Sequence, residues 1–212
     1  MRTALIDYGS GNIASAAKAL GRAAGDAGGQ AIVVTADPKV VKKADRIVLP
    51  GVGAFADCMR GLSAVPGMIE ALNETVLKNG TPFLGICVGM QLMATAGREF
   101  GRHPGLNWIE GDVAPIAPTD RTLKIPHMGW NEIEMAQNHP IFSGLEPGAN
   151  AYYVHSFEMK PASRTHLLAT TNYGGAITAA IGRDNLVGTQ FHPEKSQAVG
   201  LRILANFLNW AP

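Results

Sequence analysis

Thr81-Pro82-Phe83-Leu84-Gly85-Ile86-Cys87 is an apolar run, and Val88-Gly89-Met90-Gln91-Leu92-Met93-Ala94 continues it with apolar residues at helical spacing. Together they read as a buried strand, a sharp turn and a helix, with a thiol at the apex. Glycines stand two residues away on each side, at Gly85 and Gly89, where bulk would clash in a tight elbow. A side chain on such a turn stands clear of the backbone. The following helix turns N–H groups and the positive end of its dipole toward the sulfur. Both effects favour the thiolate, which is the nucleophilic form. The same stretch also suits an ordinary buried cysteine, which packs like a small hydrophobe.

Strands and helices alternate on the N-terminal side of this unit. Residues 3–7 read as a first strand, Tyr8-Gly9-Ser10-Gly11-Asn12 as a glycine turn, and 13–24 as a helix. Residues 31–35 form a second strand. Residues 45–50 form a third, stopped by Pro50 and opening into Gly51-Val52-Gly53. A helix is predicted over 66–78, with Pro66 in its first turn. The alternation predicts an α/β fold with a mostly parallel sheet flanked by helices. From about residue 106 the pattern changes to short strand-like runs divided by Gly, Pro and Asn: 109–116, 123–127, 133–135, 151–154, 167–172, 176–181 and 186–190. These predict antiparallel hairpins that extend or flank the sheet. A last helix over 197–209 carries Leu201, Leu204, Ala205 and Leu208 on one face. No linker or repeat divides the 212 residues, so one domain is expected.

Composition narrows the function classes. A net charge of +1 calls for neither nucleic acid nor an acidic membrane surface. No apolar run reaches the ~18 residues of a membrane span, and the start turns polar too soon for a secretory signal. The two cysteines, Cys58 and Cys87, have no metal-type spacing and fit a reducing cytoplasm. Cys58 reads as packing. His127 and His155 are too far apart in sequence to suggest a ligand pair, so no metal and no cofactor are expected.

Reactive groups of an open parallel sheet collect at the carboxyl ends of its strands. Gly188-Thr189-Gln190-Phe191-His192-Pro193-Glu194-Lys195 ends one of them. An extended chain would put His192 and Glu194 on the same side, with Pro193 restricting both its own φ and the backbone of His192. A carboxylate holding one imidazole nitrogen leaves the other to exchange a proton with Cys87. A surface turn with a solvated glutamate is the competing reading. An acyl-transfer nucleophile also needs donors for a developing oxyanion. The N–H of Val88 is one candidate, and Val52 or Gly53 in Pro50-Gly51-Val52-Gly53 offers another, although those four residues equally suit a plain strand-to-loop turn.

Gly85-Ile86-Cys87-Val88-Gly89-Met90-Gln91 and Gln190-Phe191-His192-Pro193-Glu194 together resemble the class I (triad-type) glutamine amidotransferases, and the likeness runs along the whole chain. It implies their flavodoxin-like fold and a Cys-His-Glu triad that hydrolyses the side-chain amide of glutamine. Three stretches are most similar to members that feed ammonia to a (β/α)₈-barrel cyclase in a heterodimer: 6–12, 49–55, and Pro126-His127-Met128-Gly129-Trp130-Asn131. By that resemblance Gly51, Gln91, Tyr152, His155 and Ser156 contact glutamine, and Asn12, Trp130 and Lys195 face the partner. The glycines at 51 and 53 would let the oxyanion peptide flip when the partner is liganded. Phe157 stands where the family pattern leads one to expect tyrosine. Amidotransferases of pyridoxal phosphate, anthranilate or purine synthesis, a non-catalytic binding subunit, and a cysteine hydrolase or peptidase on a similar sheet are the rival readings.

Overall fold

The computed structural model describes residues 1–26 and 28–212. The first half runs β1 (Arg2–Ile6), α1 (Ile13–Asp26), β2 (Ala31–Thr35), α2 (Pro38–Val41), β3 (Arg46–Gly51), α3 (Phe55–Ala64), α4 (Met68–Leu72), β4 (Phe83–Cys87) and α5 (Val88–Gln91). The second half holds β5 (Ala96–Gly97), β6 (His103–Pro104), β7 (Gly111–Pro115), β8 (His127–Glu132), β9 (Glu134–Met135), β10 (Asn150–His155), β11 (Phe157–Pro161), β12 (Leu167–Asn172), β13 (Ala176–Arg183), β14 (Leu186–Thr189) and α6 (Gln197–Asn209).

An eight-stranded sheet in the order β2-β1-β3-β4-β14-β13-β12-β9 organises the chain. It is parallel from β2 to β14 and antiparallel beyond. Every residue of β3 and β4 is buried, as expected of central parallel strands covered on both faces. That is why both read as continuous apolar runs rather than alternating ones. The other late strands form a β8–β10 pair and a small sheet, β11-β7-β5-β6. The predicted α/β architecture with antiparallel additions in the second half is therefore the observed one. Arg46, buried at the start of β3, donates through Nε to the carbonyl of Phe207 and through Nη2 to that of Trp210, tying the end of α6 to the sheet. Within α6 the buried residues are Gly200, Ile203, Leu204, Phe207 and Leu208, a stripe rotated from the predicted face.

Three expectations need correction. The helix predicted over 66–78 is shorter at its start. Pro66 lies in a turn, Gly67 adopts φ 78° before α4, and α4 continues as a wider π-helical segment, Asn73–Lys78. Residues 123–126 are not a strand. Asp120 Oδ1 accepts from the backbone N–H and hydroxyl of Thr122, holding a turn, and extended pairing begins only at His127. Finally, α3, α2 and β11 were not expected, and the helix after Cys87 is a single turn.

Candidate active site

Cys87 ends β4 with φ 54° and ψ −113°, a conformation that L-residues rarely adopt. Such strain costs about 1–3 kcal/mol and persists only where the surroundings enforce it. The surroundings here are the two flanking glycines. A Cβ on Gly85 would lie 2.6 Å from the Gly89 carbonyl oxygen, and one on Gly89 would lie 1.9 Å from the Leu49 carbonyl oxygen. Only hydrogen at both positions lets α5 close back onto β3 and β4 and hold the thiol at the apex.

His192 lies three residues beyond the end of β14. Its backbone N–H donates to the Tyr152 carbonyl at 2.9 Å, and its carbonyl accepts from Ser196 Oγ at 2.7 Å. The side chain is held through Nδ1, 2.7 Å from Glu194 Oε1, with both side chains almost wholly buried. The two residues meet through a 3₁₀ turn, Pro193–Lys195, rather than through the extended chain expected. Glu194 Oε2 has no hydrogen-bond partner among the described residues. Burial alone would depress the basicity of His192. The neighbouring Cys87 sulfur and the hydrogen bond to Glu194 outweigh it and push His192 above the ordinary histidine value. His192 is thus biased toward its protonated form, on the wall of the cavity that the sulfur also lines.

Cys87 and His192 line one cavity of about 450 Å³, together with Val52, Gly53, Val88 and Gln91. His155, Ser156 and Lys195 also border it, as do Pro126, Val154 and Phe157, and Glu99, which sequence reasoning missed. Glu99 Oε2 accepts from the N–H of Phe55 and so anchors the start of α3 beside the cavity. Glu194 stands behind His192. Gly51 is not at the cavity surface but is packed against α5, where a Cβ would come within 2.8 Å of the Gly89 nitrogen.

Two further residues sit differently from expectation. Along β10, Ala151, Tyr153 and His155 turn inward, whereas the Tyr152 ring meets Trp130 edge-on at 6.0 Å and lies 5.7 Å beneath Lys195 Nζ. The Tyr152 side chain therefore belongs to an outer patch, with Trp130 half exposed and Lys195 exposed. Its carbonyl still serves the site by holding His192. Val52 is the other. Its N–H is directed at Ser10 Oγ, 3.3 Å away, while its carbonyl accepts from Ser10 Oγ at 2.8 Å and Cys58 Sγ at 3.2 Å. The Val52 N–H, one of the donors expected at an oxyanion, is thus engaged elsewhere. Cys58 packs as predicted, with its thiol pushed up by burial, yet it also fastens this strand. Asn12 is exposed at the start of α1, where its Oδ1 accepts from the Ser15 N–H.

A second buried network backs the cavity. His155 Nδ1 donates to the Phe157 carbonyl at 2.9 Å, so its Nε2 accepts from His127 Nδ1 at 3.0 Å. His127 Nε2 in turn accepts from Asn131 Nδ2 at 3.2 Å. Burial pulls both histidines down to about 4, which keeps them neutral. Among the described residues there is no cluster of three metal-ligating side chains and no helix long and apolar enough to cross a membrane.

Known proteins are similar to this chain in sequence or in fold. The family model "Glutamine amidotransferase class-I" matches residues 4–210. A Rhodospirillum rubrum protein named imidazole glycerol phosphate synthase subunit HisH is 63% identical over 214 residues, covering 100% of both chains. Its namesake from Brucella suis is 59% identical over 216 residues, again covering 100% of both. Among solved structures, one described as a glutamine amidotransferase superposes with a TM-score of 0.73 at 15% identity, covering 98% of this chain and 99% of its own. A glutamine amidotransferase from Thermotoga maritima gives a TM-score of 0.61 at 17% identity, covering 92% of this chain and 76% of its own. At such identities the two structures speak for the fold alone.

Proposed function

The chain belongs to the class I glutamine amidotransferases, and from that premise we propose that it is the glutaminase subunit of an imidazole glycerol phosphate synthase, working with a cyclase partner in histidine biosynthesis. The names of its full-length relatives support this reading. The observation that carries it is that Cys87 and His192, distant along the chain, line one cavity while Glu194, behind His192, holds its Nδ1. Rival amidotransferases share such a triad; the relatives' names favour this one.

In the proposed mechanism the Cys87 sulfur attacks the side-chain amide carbon of glutamine. His192 gives its proton to the departing nitrogen, the C–N bond breaks, and ammonia leaves a γ-glutamyl thioester. Water then adds to the thioester while His192 takes its proton, and glutamate departs with the sulfur restored. Glu194 holds the tautomer and supports the imidazolium. Gln91, whose two amide hydrogens are taken by Phe157 and Gln190, offers its oxygen to the cavity.

The oxyanion needs donors from Val88 and from the Val52–Gly53 strand. With the Val52 N–H held by Ser10, the strand is in a resting arrangement. Docking of a liganded cyclase would release it, with Gly53 at φ 94° as the pivot. Trp130, Tyr152 and Lys195, on the rim beside the cavity, form the patch on which the partner would sit, so that ammonia passes directly to it.

The deciding experiment assembles the chain with its cyclase and follows product formation. Cys87→Ala should abolish synthesis from glutamine and leave synthesis from added ammonium salts intact, because the cyclase site is untouched. Equal loss of both activities would contradict the division of labour.

A further inference from the structure

Gln190 is completely buried, next after β14, with its backbone N–H donating to the Ala179 carbonyl at 2.8 Å. A glutamine at such a position must find partners for its amide. It finds two. Its Oε1 accepts from Gln91 Nε2 at 3.0 Å, and its Nε2 points at the Cys87 sulfur from 3.7 Å.

Which end of each amide faces which neighbour follows from a single acceptor. The Phe157 carbonyl can only accept, and it receives His155 Nδ1–H and Gln91 Nε2–H. Gln91 must therefore turn its nitrogen toward Phe157, and its second hydrogen meets Gln190. An oxygen of Gln190 has to stand there, which leaves its nitrogen on the sulfur side. Reversing Gln91 would set its oxygen against two others, and reversing Gln190 would set nitrogen against nitrogen and an oxygen against the sulfur. The chain of donors thus runs one way, from the cavity wall to the nucleophile.

We propose that Gln190 is a further catalytic residue, an N–H donor held against the Cys87 sulfur and aimed there by Gln91. The proposal rests on the reading of Cys87 as the nucleophile. Its chemistry complements that of His192. An imidazolium that stabilises the thiolate must also surrender its proton to ammonia, whereas an amide N–H keeps its hydrogen throughout. The sulfur therefore retains one donor while His192 is changing charge. The chain also joins substrate to nucleophile, because the oxygen of Gln91 is the group offered to glutamine. A donor accepted there polarises both amides and strengthens the last N–H.

The test is the rate at which iodoacetamide alkylates Cys87, read by mass on its own peptide, in the full chain and in Gln190→Met. Loss of one hydrogen bond to a charged group predicts alkylation about tenfold slower at pH 7. The two rates should converge near pH 10, where a thiol ionises without help. Equal rates at pH 7, or a deficit that persists undiminished at pH 10, would overturn the proposal, the latter marking simple packing damage. Gln190→Glu guards against a misfolded methionine variant. It keeps the acceptor for Gln91 and sets a carboxylate on the sulfur, so alkylation at pH 7 should be slower than in wild type, and an unchanged rate refutes the idea. Alkylation requires neither glutamine nor cyclase. An assembled wild-type complex that consumed no glutamine would sink the proposed function while leaving this comparison readable.

Discussion

Glu194→Gln isolates what the carboxylate contributes to the site. The 2.7 Å contact between its Oε1 and His192 Nδ1 is shielded from water, the two side chains being 3% and 2% exposed. Hydrogen bonds to charged groups contribute about 1.5–3 kcal/mol and neutral ones about 0.5–1.5. The substitution keeps an oxygen available to Nδ1 but removes its charge, a loss of about 1–1.5 kcal/mol where the imidazolium must be held. It also buries an amide nitrogen at the place of Oε2, which has no partner among the described residues. An unsatisfied donor there costs about 1–3 kcal/mol, part of it felt as misplacement of His192. At about 1.36 kcal/mol per decade, kcat should fall roughly ten- to a hundredfold. KM should stay within about twofold, because Glu194 does not line the cavity. The assay is glutamate release by the complex with cyclase ligand present, followed across pH. Burial lowers the His192 pKa, and Glu194 is one of the groups that raises it in opposition. In the proposed mechanism His192 carries a proton to release ammonia, so activity should fall as pH rises through its pKa. That alkaline limb should move to lower pH in the variant. A variant within about twofold of wild type, with the limb unmoved, would refute the reasoning.

Further outcomes follow from the same geometry. Ser10→Ala removes both contacts to Val52, each worth about 1 kcal/mol, and should raise the free chain's glutaminase activity about five- to thirtyfold; an unchanged basal rate would separate Ser10 from control of the oxyanion strand. His127 and His155 remain neutral down to about 4 in the fold, whereas unfolded histidines take up protons near 6.5. Their contribution is complete above the unfolded value, and as pH falls from there toward 4 each histidine should cost up to about 1.4 kcal/mol of stability per unit. Urea unfolding at several pH values checks this, and His127→Gln should flatten the slope.

The sheet was legible because β3 and β4 are buried on both faces and so appear as unbroken apolar runs. The elbow was legible because only glycine tolerates the approach of α5 to Leu49. Helix α3 escaped notice because Ala54 supplies no side-chain cap and Gly61 interrupts the segment. The turn joining His192 to Glu194 reads as extended chain locally and is bent by Ser196, whose hydroxyl bonds back to the His192 carbonyl. The outward turn of Tyr152 was available from the alternation of Ala151, Tyr153 and His155 along β10. The engagement of the Val52 N–H was not, since Ser10 lies 42 residues away in sequence. Gln190 carries no local signal either; its meaning comes from Gln91, 99 residues earlier, and from the sulfur beyond.

The central claim, that the Cys87 sulfur is acylated by glutamine, is tested most directly by quenching the working complex in acid and weighing its peptides. The peptide containing Cys87 should gain the mass of one glutamyl group, and Glu194→Gln should alter how much accumulates. Glutamate production with no adduct on Cys87, or with the adduct on Cys58, would contradict the account.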